Sequence, residues 1–257
     1  MFAPSRGAPR LTMTVSRPLP RPIERLMKLG RLVISPVLEF GRIVFFMREL
    51  DVGWSDPGST PDVVMRLGVP ADIPAIQAGR HDGKGLTALL RHRFERGDRA
   101  VLAIDRDHGA VLRSSWVSII PTPIPEVNRE FVPRPDEGYL YDGYTRRDVR
   151  SHGIDSLARR FIFSMLHREG YRRAYSYVRG NNRPALLAAA RWQTPVAQMR
   201  YLSLRDVNPW VMGPFGVDTP SGSTDPGTWP RLLRPPRRPL AAPPRTTTQG
   251  DEPRIAA

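Results

Sequence analysis

DVRSHGIDSLARRFIFSMLHREG, residues 148–170, passes from loop to helix at a single glycine, Gly153. Ile154, Leu157, Ala158, Phe161, Ile162 and Met165 recur at three- and four-residue spacing, which makes one apolar stripe on a helix. Gly170 closes that helix, with His167 and Arg168 in its last turn, where the dipole favours cations. At the other end Arg150, Ser151, His152 and Gly153 stand where the first helical N–H groups lack partners. Such an end is either an anion site or a plain turn, and the elements around it decide which.

Working outward, GYLYDGYT, residues 138–145, alternates aromatic residues and reads as a strand leading into the loop. YRRAYSYV, residues 171–178, reads as a strand after the helix. NRPALLAAARW, residues 182–192, is a short Ala-rich helix with Pro184 tolerated in its first turn, and VAQMRYLSL, residues 196–204, is a closing strand. Upstream, RAVLAIDRDHGAVLRSSWVSII, residues 99–120, is a hairpin about an Asp-His-Gly turn. Two short helices over 71–79 and 85–97 and strands over 42–50 and 63–69 precede it. The Pro-rich stretch 121–136 reads as a loop. Residues 23–40 carry apolar residues at helical spacing interleaved with Arg25, Lys28 and Arg31, and Pro36 ends or bends that segment. It either packs on the domain, the commoner fate, or lies weakly on a membrane surface.

The organisation expected is therefore a tail over 1–22, an amphipathic helix and lead-in strand over 23–50, a folded domain over 51–205, and a Pro/Arg-rich tail over 206–257. The tails lack apolar periodicity and are expected to be disordered. The fold class is α/β in the α+β sense: a mixed, mostly antiparallel central sheet flanked by helices.

The chain has 257 residues and no Cys, which excludes disulfides and Cys-ligated metals. No secretory signal opens it, and Pro36, Glu39 and Arg42 interrupt its most apolar run, so a cytoplasmic protein without a membrane-spanning helix is expected. A net charge of +14 attracts nucleic acid, anionic membrane or phosphorylated small molecules; Arg-rich tails without a specific partner are the alternative. No block of like charge marks a nucleic-acid arm. His81, His92, His108, His152 and His167 show no metal-ligand spacing, so no metal is expected.

Hairpin, aromatic strand, Gly-containing loop, amphipathic helix, strand, Asn-started helix and strand, taken in that order, resemble the GNAT family of acetyl-CoA-dependent N-acyltransferases. The resemblance spans about 160 residues and is best over 137–194. The family signature, Arg or Gln, two residues, Gly, one residue, then Gly or Ala, falls on Arg150, Ser151, His152, Gly153, Ile154 and Asp155. It implies that the loop amides and Arg150 hold the CoA pyrophosphate, and that the preceding strand places Tyr144 and Thr145 beside the cofactor. Asn182 matches the Asn that starts a short helix alongside CoA. Four positions depart from the pattern. Asp155 replaces the final Gly or Ala, Ala189 replaces the Tyr that protonates the leaving thiolate in many members, and Gln193 and Thr194 replace a Gly-aromatic ending.

Acyl transfer to an amine needs a proton acceptor, and Glu137 and Asp142, on or beside the central strand, are the candidates; each is alternatively a surface carboxylate. The tyrosines of that strand are expected to serve sheet packing. The activity implied is transfer of an acetyl group from acetyl-CoA to a small-molecule or peptide amine. The alternative is a catalytically degenerate GNAT-like module that binds without turnover.

Overall fold

A computed structural model describes residues 38–50, 60–81, 85–204, 210–216 and 233–234. The strands are β1 (Leu38–Glu49), β2 (Val63–Leu67), β3 (Arg99–Asp105), β4 (Val111–Ser118), β5 (Thr122–Ile124), β6 (Arg129–Phe131), β7 (Glu137–Thr145), β8 (Arg173–Arg179), β9 (Thr194–Leu204), β10 (Trp210–Gly216) and β11 (Leu233–Arg234). The α-helices are α1 (Ile73–Ala78), α2 (Thr87–Glu95), α3 (Ile154–Arg168) and α4 (Arg183–Ala190).

Eight strands form one sheet in the order β10-β9-β1-β8-β7-β4-β3-β2, and β5, β6 and β11 form a small second sheet. Every pair in the large sheet is antiparallel except β7 with β8. That exception follows from α3, which carries the chain back along the sheet between the two strands.

Helix α3 forms as its periodicity dictates. Ile154, Ala158, Ile162, Phe163, Met165 and Leu166 are buried on it against Val101, Ala103, Leu112, Val117 and Leu140 of the sheet. Fully burying a side chain such as Ile162, Phe163 or Leu166 is worth about 1.5–3 kcal/mol each. Gly170, at φ 86°, ends the helix, and the Gly170 and Tyr171 amides donate to the His167 and Leu166 carbonyls in a Schellman arrangement. Helix α4 lies on the same face, with Leu186 and Ala189 against Phe46.

The opposite face carries α1 and α2 over Trp116, Ala100 and Leu102. Beside them Phe45, Tyr139, Tyr175 and Tyr177 lie under the β5–β6 segment, which contributes Ile124, Val127 and Phe131. Tyr139 stacks between Phe131, 4.5 Å away, and Tyr141, 5.7 Å away, so these strand tyrosines are packing groups. Both faces being covered, all eight residues of β4 are buried.

Three expectations are corrected. The stretch 121–136 is not simply a loop: Ile124, Val127 and Phe131 anchor β5 and β6 on the aromatic face, and apolar contact outweighs proline content. Residues 38–40 extend β1 rather than an amphipathic helix, and β1 lies inside the sheet between β9 and β8, not ahead of the domain. Residues 210–216, expected in a tail, are edge strand β10 on β9; the register shifts between Met212 and Phe215, which is where an edge strand accommodates Pro214. Residues 1–22 and the expected helix over 23–37 lie outside the described residues. No helix among the described residues is long and apolar enough to cross a membrane.

Candidate functional site

β7 and β8 are paired only from Glu137 opposite Arg173 to Leu140 opposite Ser176. Beyond that point β7 runs on through Tyr141–Thr145 with β4 on one side and, among the described residues, no strand on the other. The ladder between β4 and β7 is interrupted there as well: Ser114 faces Tyr144 while Trp116 faces Tyr141, so Asp142 and Gly143 together oppose Ser115. This is a β-bulge, and Asp142 sits in it at φ 45°, in the left-handed region. The result is a wedge-shaped opening in the sheet, edged by backbone groups of β7 that none of the described strands uses.

The loop over 146–153 and the first turn of α3 stand at the mouth of that opening. Arg147–Val149 make a 3-10 turn, and Gly153, at φ 78°, caps α3 without a side chain of its own. A methyl group on Gly153 would meet nothing within 4 Å, so the space in front of the helix is open. Among the described residues no hydrogen bond takes up the backbone N–H groups from Ser151 to Ser156. Arg150 is exposed; its Nε donates to the Thr145 carbonyl at 3.2 Å and its guanidinium lies 5.8 Å from the Tyr144 ring centre. His152 is folded back, with Nδ1 2.8 Å from the Arg150 carbonyl, a contact that needs the proton on Nδ1. Ile154 is buried under the first turn and contributes its amide alone.

Asp155, the departure from the family signature, points away from this space. Its carboxylate is 2.6 Å from Nη2 of Arg113 and 2.9 Å from Nε of Arg159. Burial alone would push its carboxyl up; the two guanidinium groups outweigh that and hold it below the ordinary carboxylate range. The triad of two arginines and one aspartate carries one net positive charge directly beneath the α3 N-terminus. Arg113 reaches it across Gly143, where a methyl group would lie 2.7 Å from Nη2. Arg159 also donates through Nη1 to Gln193 Oε1 at 2.7 Å, and Ser176 Oγ donates to the same oxygen at 2.8 Å. Gln193 Nε2 donates to the Ala174 carbonyl, tying α3 to β8 and to the start of β9.

On the other face of the bulge Asp142 accepts from Arg80 at 3.0 and 3.1 Å and from Nη1 of Arg93. Arg80 stacks on Tyr144 at 4.8 Å, and the Tyr144 hydroxyl accepts from the His81 amide at 2.9 Å. Arg93 lies 5.0 Å from the Tyr141 ring and 5.1 Å from that of Trp116.

The structure thus brings Tyr144, Thr145, Arg150, Ser151, His152, Gly153 and Ile154 to one opening, with Asp155 behind them. Asp142 is at the bulge, but both its oxygens are engaged, so taking an amine's proton would break ion pairs. Glu137 does not join the site. It lies fully buried at the other end of β7, where its Oε2 accepts from the Arg134 amide and Arg173 stands 3.6 Å away. Asn182 is a helix cap, its side chain accepting from the Ala185 amide at 3.2 Å, at the C-terminal end of β8. Ala189 is buried in the core with Phe46. Arg80, Arg93, Arg113 and Gly143 are positioned by long-range pairing and had no local signal in the sequence. Among the described residues no group of His, Asp and Glu could hold a metal ion.

No family model and no curated protein matches the chain. Among solved structures it is similar to a GCN5-related N-acetyltransferase from Sphaerobacter thermophilus, at 17% identity and a TM-score of 0.48, over 68% of this chain and 55% of that one. A GNAT-family acetyltransferase from Colwellia psychrerythraea gives 14% identity and a TM-score of 0.47, over 69% and 61% of the two chains. A tandem GNAT protein from the clavulanic acid biosynthesis pathway gives 15% and 0.45, over 74% and 59%. The chain therefore spans 55–61% of the length of these three solved structures. Its fold is GNAT-like; the sheet order and the single parallel, diverging strand pair carry that statement rather than the scores.

Proposed function

We propose that the protein is an N-acyltransferase that moves an acetyl group from acetyl-CoA to an amine. The observation that carries this reading is the opening between β7 and β8, headed by a helix N-terminus whose amides have no partner among the described residues. Those amides, the open space before Gly153 and the net positive triad beneath α3 fit a pyrophosphate. Arg150 and the amides from Ser151 to Asp155 would hold it, with the Asp155 side chain turned inward. The freed backbone of β7 over Tyr141–Thr145 supplies the hydrogen-bonding groups that an amide-containing arm and a thioester carbonyl need. Asn182 flanks the same end of the sheet.

Acetyl-CoA supplies the acyl group as a thioester: the amine nitrogen forms the new C–N bond, the C–S bond breaks with its electron pair on sulfur, and the nitrogen's proton passes to water. Ala189 has no proton to give. A thiol has a pKa of about 8.5, so its anion is a tolerable leaving group near neutrality, and the cationic surroundings stabilise it. Asp142 serves by fixing Arg80 and Arg93 at the bulge rather than as a free base.

The test is calorimetric titration of the full chain with acetyl-CoA, together with CoA release in the presence of amines. Absence of binding at millimolar acetyl-CoA would sink the reading. Ala189 and the engaged Asp142 favour a second reading, a GNAT-like module that binds without turnover; it predicts binding of acetyl-CoA with no CoA release for any amine.

A further inference from the structure

Under the acyltransferase reading above, the amine's proton has to leave a site bordered by aromatic rings. The pairing of β7 with β8 stops at Leu140 opposite Ser176, and Tyr177 is the next residue on β8. Its ring lies 6.4 Å from that of Tyr139 and nearly parallel to it, at 14°; Tyr139 in turn stacks on Tyr141 at 5.7 Å. The three rings thus run from β8 to β7 beside the opening, on the sheet face opposite α3. Tyr139 is fully buried, whereas Tyr141 and Tyr177 on either side of it are half-buried.

Two of the three hydroxyls donate to carboxylates. Tyr177 donates at 2.8 Å to Oε2 of Glu126, in the turn Pro125–Val127 between β5 and β6. Tyr141 donates to Oδ2 of Asp98 at 2.7 Å. The Tyr139 hydroxyl has no hydrogen-bond partner among the described residues, and its electrostatic neighbours are Tyr177, Glu126 and Tyr141. A buried hydroxyl left unmet beside the two pairs marks a place that a polar group of a ligand completes.

The two pairs differ in where a proton can go. The Asp98 side chain is fully buried and held by Arg96 at 2.9 Å, so a proton delivered to it stays enclosed. The Glu126 side chain is 10% exposed, and its other oxygen accepts from Nε of Arg179 at 2.7 Å. Arg179 is itself 55% exposed, so this carboxylate borders solvent. A guanidinium so open to water is strongly screened. It holds the charge on Glu126 less firmly than the nearly buried Arg93 holds that on Asp142. Burial, and next the Glu126 carboxylate, keep the Tyr177 hydroxyl well above the ordinary phenol range. It therefore does not ionise by itself; it takes one proton only as it gives up another.

We infer, on the basis of that reading, that Tyr177 and Glu126 form the relay by which the acceptor amine's proton reaches water. The phenol oxygen of Tyr177 keeps a lone pair while its proton points at Glu126, so it can accept from the amine. As the nitrogen forms the C–N bond, its proton passes to the Tyr177 oxygen and the phenol proton passes to Oε2 of Glu126. The C–S bond breaks with its electron pair on sulfur, and Glu126 releases the proton to water beside Arg179. Tyr177 and Glu126 end as they began.

The experiment uses the full chain as wild type, Tyr177→Phe, Glu126→Gln and the double variant. Acetyl-CoA binding is measured by calorimetry, and CoA release is followed with butylamine, phenethylamine, tyramine and glycinamide. For the amine that wild type uses best, each single change is expected to lower kcat by about tenfold or more. That lies at or below the roughly 10²–10⁴-fold that proton transfer by a positioned group supplies. The acetyl-CoA Kd is expected to stay within about twofold, which separates the relay from a packing role. The double variant is expected to be no slower than the slower single one, because one path is cut once. If acetyl-CoA binds and either single variant keeps the wild-type kcat, if the two losses multiply, or if no amine of the four releases CoA, the relay is overturned while donor binding stands. If acetyl-CoA does not bind, the acyltransferase reading fails and the relay with it. Should Tyr177→Phe not fold, Glu126→Gln decides alone.

Discussion

Arg113, on β4, crosses the bulge at Gly143 and holds Asp155, in the first turn of α3, at 2.6 Å. One contact therefore fixes the angle at which the helix N-terminus meets the opening in the sheet. It also settles the direction of the Asp155 side chain, which would otherwise stand against an anion at the same helix end. Asp155→Asn is expected to lower stability by about 2–3 kcal/mol, because Arg113 and Arg159 lose their counter-charge in a largely buried setting. It should not tighten acetyl-CoA binding. Chemical denaturation paired with calorimetry separates the two effects, and a variant that binds more tightly without losing stability would contradict the arrangement.

The same carboxylate sets a pH dependence. Its pKa is held below the ordinary value by Arg113 and Arg159 against burial. A group depressed in the folded state contributes stability that is complete above its unfolded value, about 3.9, and is lost as pH falls through the lower folded value. The stability difference between wild type and Asp155→Asn should therefore be constant near neutrality and shrink below about pH 4. Denaturation curves collected across that range check it; a difference that grew on acidification would reverse the sign of the pairing.

At the loop, Arg150→Ala is expected to weaken acetyl-CoA binding by about 1.5–3 kcal/mol, the range for hydrogen bonds to charged groups. Its effect on stability should be small, since Arg150 is exposed and, among the described residues, donates one bond, to the Thr145 carbonyl. Gly153→Val should be worse for both. A β-branched residue at φ 78° is strained, by about 1–2 kcal/mol, and its methyl groups enter the open space before the helix. Calorimetry on both variants, with melting curves as control, gives the comparison. Equal binding by wild type and both variants would reduce the loop to a turn.

Gln193 stands where the family pattern has a different ending, and its side chain joins Arg159, Ser176 and Ala174. Gln193→Leu, similar in size, leaves two buried donors and one carbonyl without their partner. A cost of about 2–4 kcal/mol is expected, from about 1–3 kcal/mol for each buried group left unpaired and some relaxation. Hydrogen exchange should show faster opening of the first turns of α3, and unchanged protection there would separate Gln193 from the helix N-terminus.

What could be read in the chain was what is local. The apolar stripe of α3, the Gly153 and Gly170 boundaries and the hairpin of β3 and β4 depend on neighbours in sequence, and all were legible there. The insertion of β1 between β8 and β9 was not, because Ile43 meets Arg179 and Met199, more than a hundred residues away. The Asp142 bulge was hidden for the same reason: Asp142 and Gly143 oppose one residue only once β4 lies alongside. Arg113 carried no mark of its role, since its partner is supplied by α3. Glu137 was placed correctly on its strand, but burial at the end remote from the loop depends on how β8 enters.

Strand β10 leads to the last prediction. A chain ending at residue 208 would keep every helix and the β7–β8 opening but lose Trp210–Gly216 from the edge of the sheet. β9 would then present unpaired backbone groups over Ala197–Leu202, where it now pairs with β10. Val211, which packs on the aromatic core, would go with it. β10 itself is a suitable edge, because its register shift and Pro214 discourage a further strand from joining. The exposed β9 has no such protection. The shortened chain is expected to melt several degrees lower and to aggregate more readily, whereas a chain ending at residue 217 retains the edge. Melting curves and light scattering on the two lengths make the test. Equal stability and solubility would mean that β10 contributes nothing to the sheet and that the domain ends at β9.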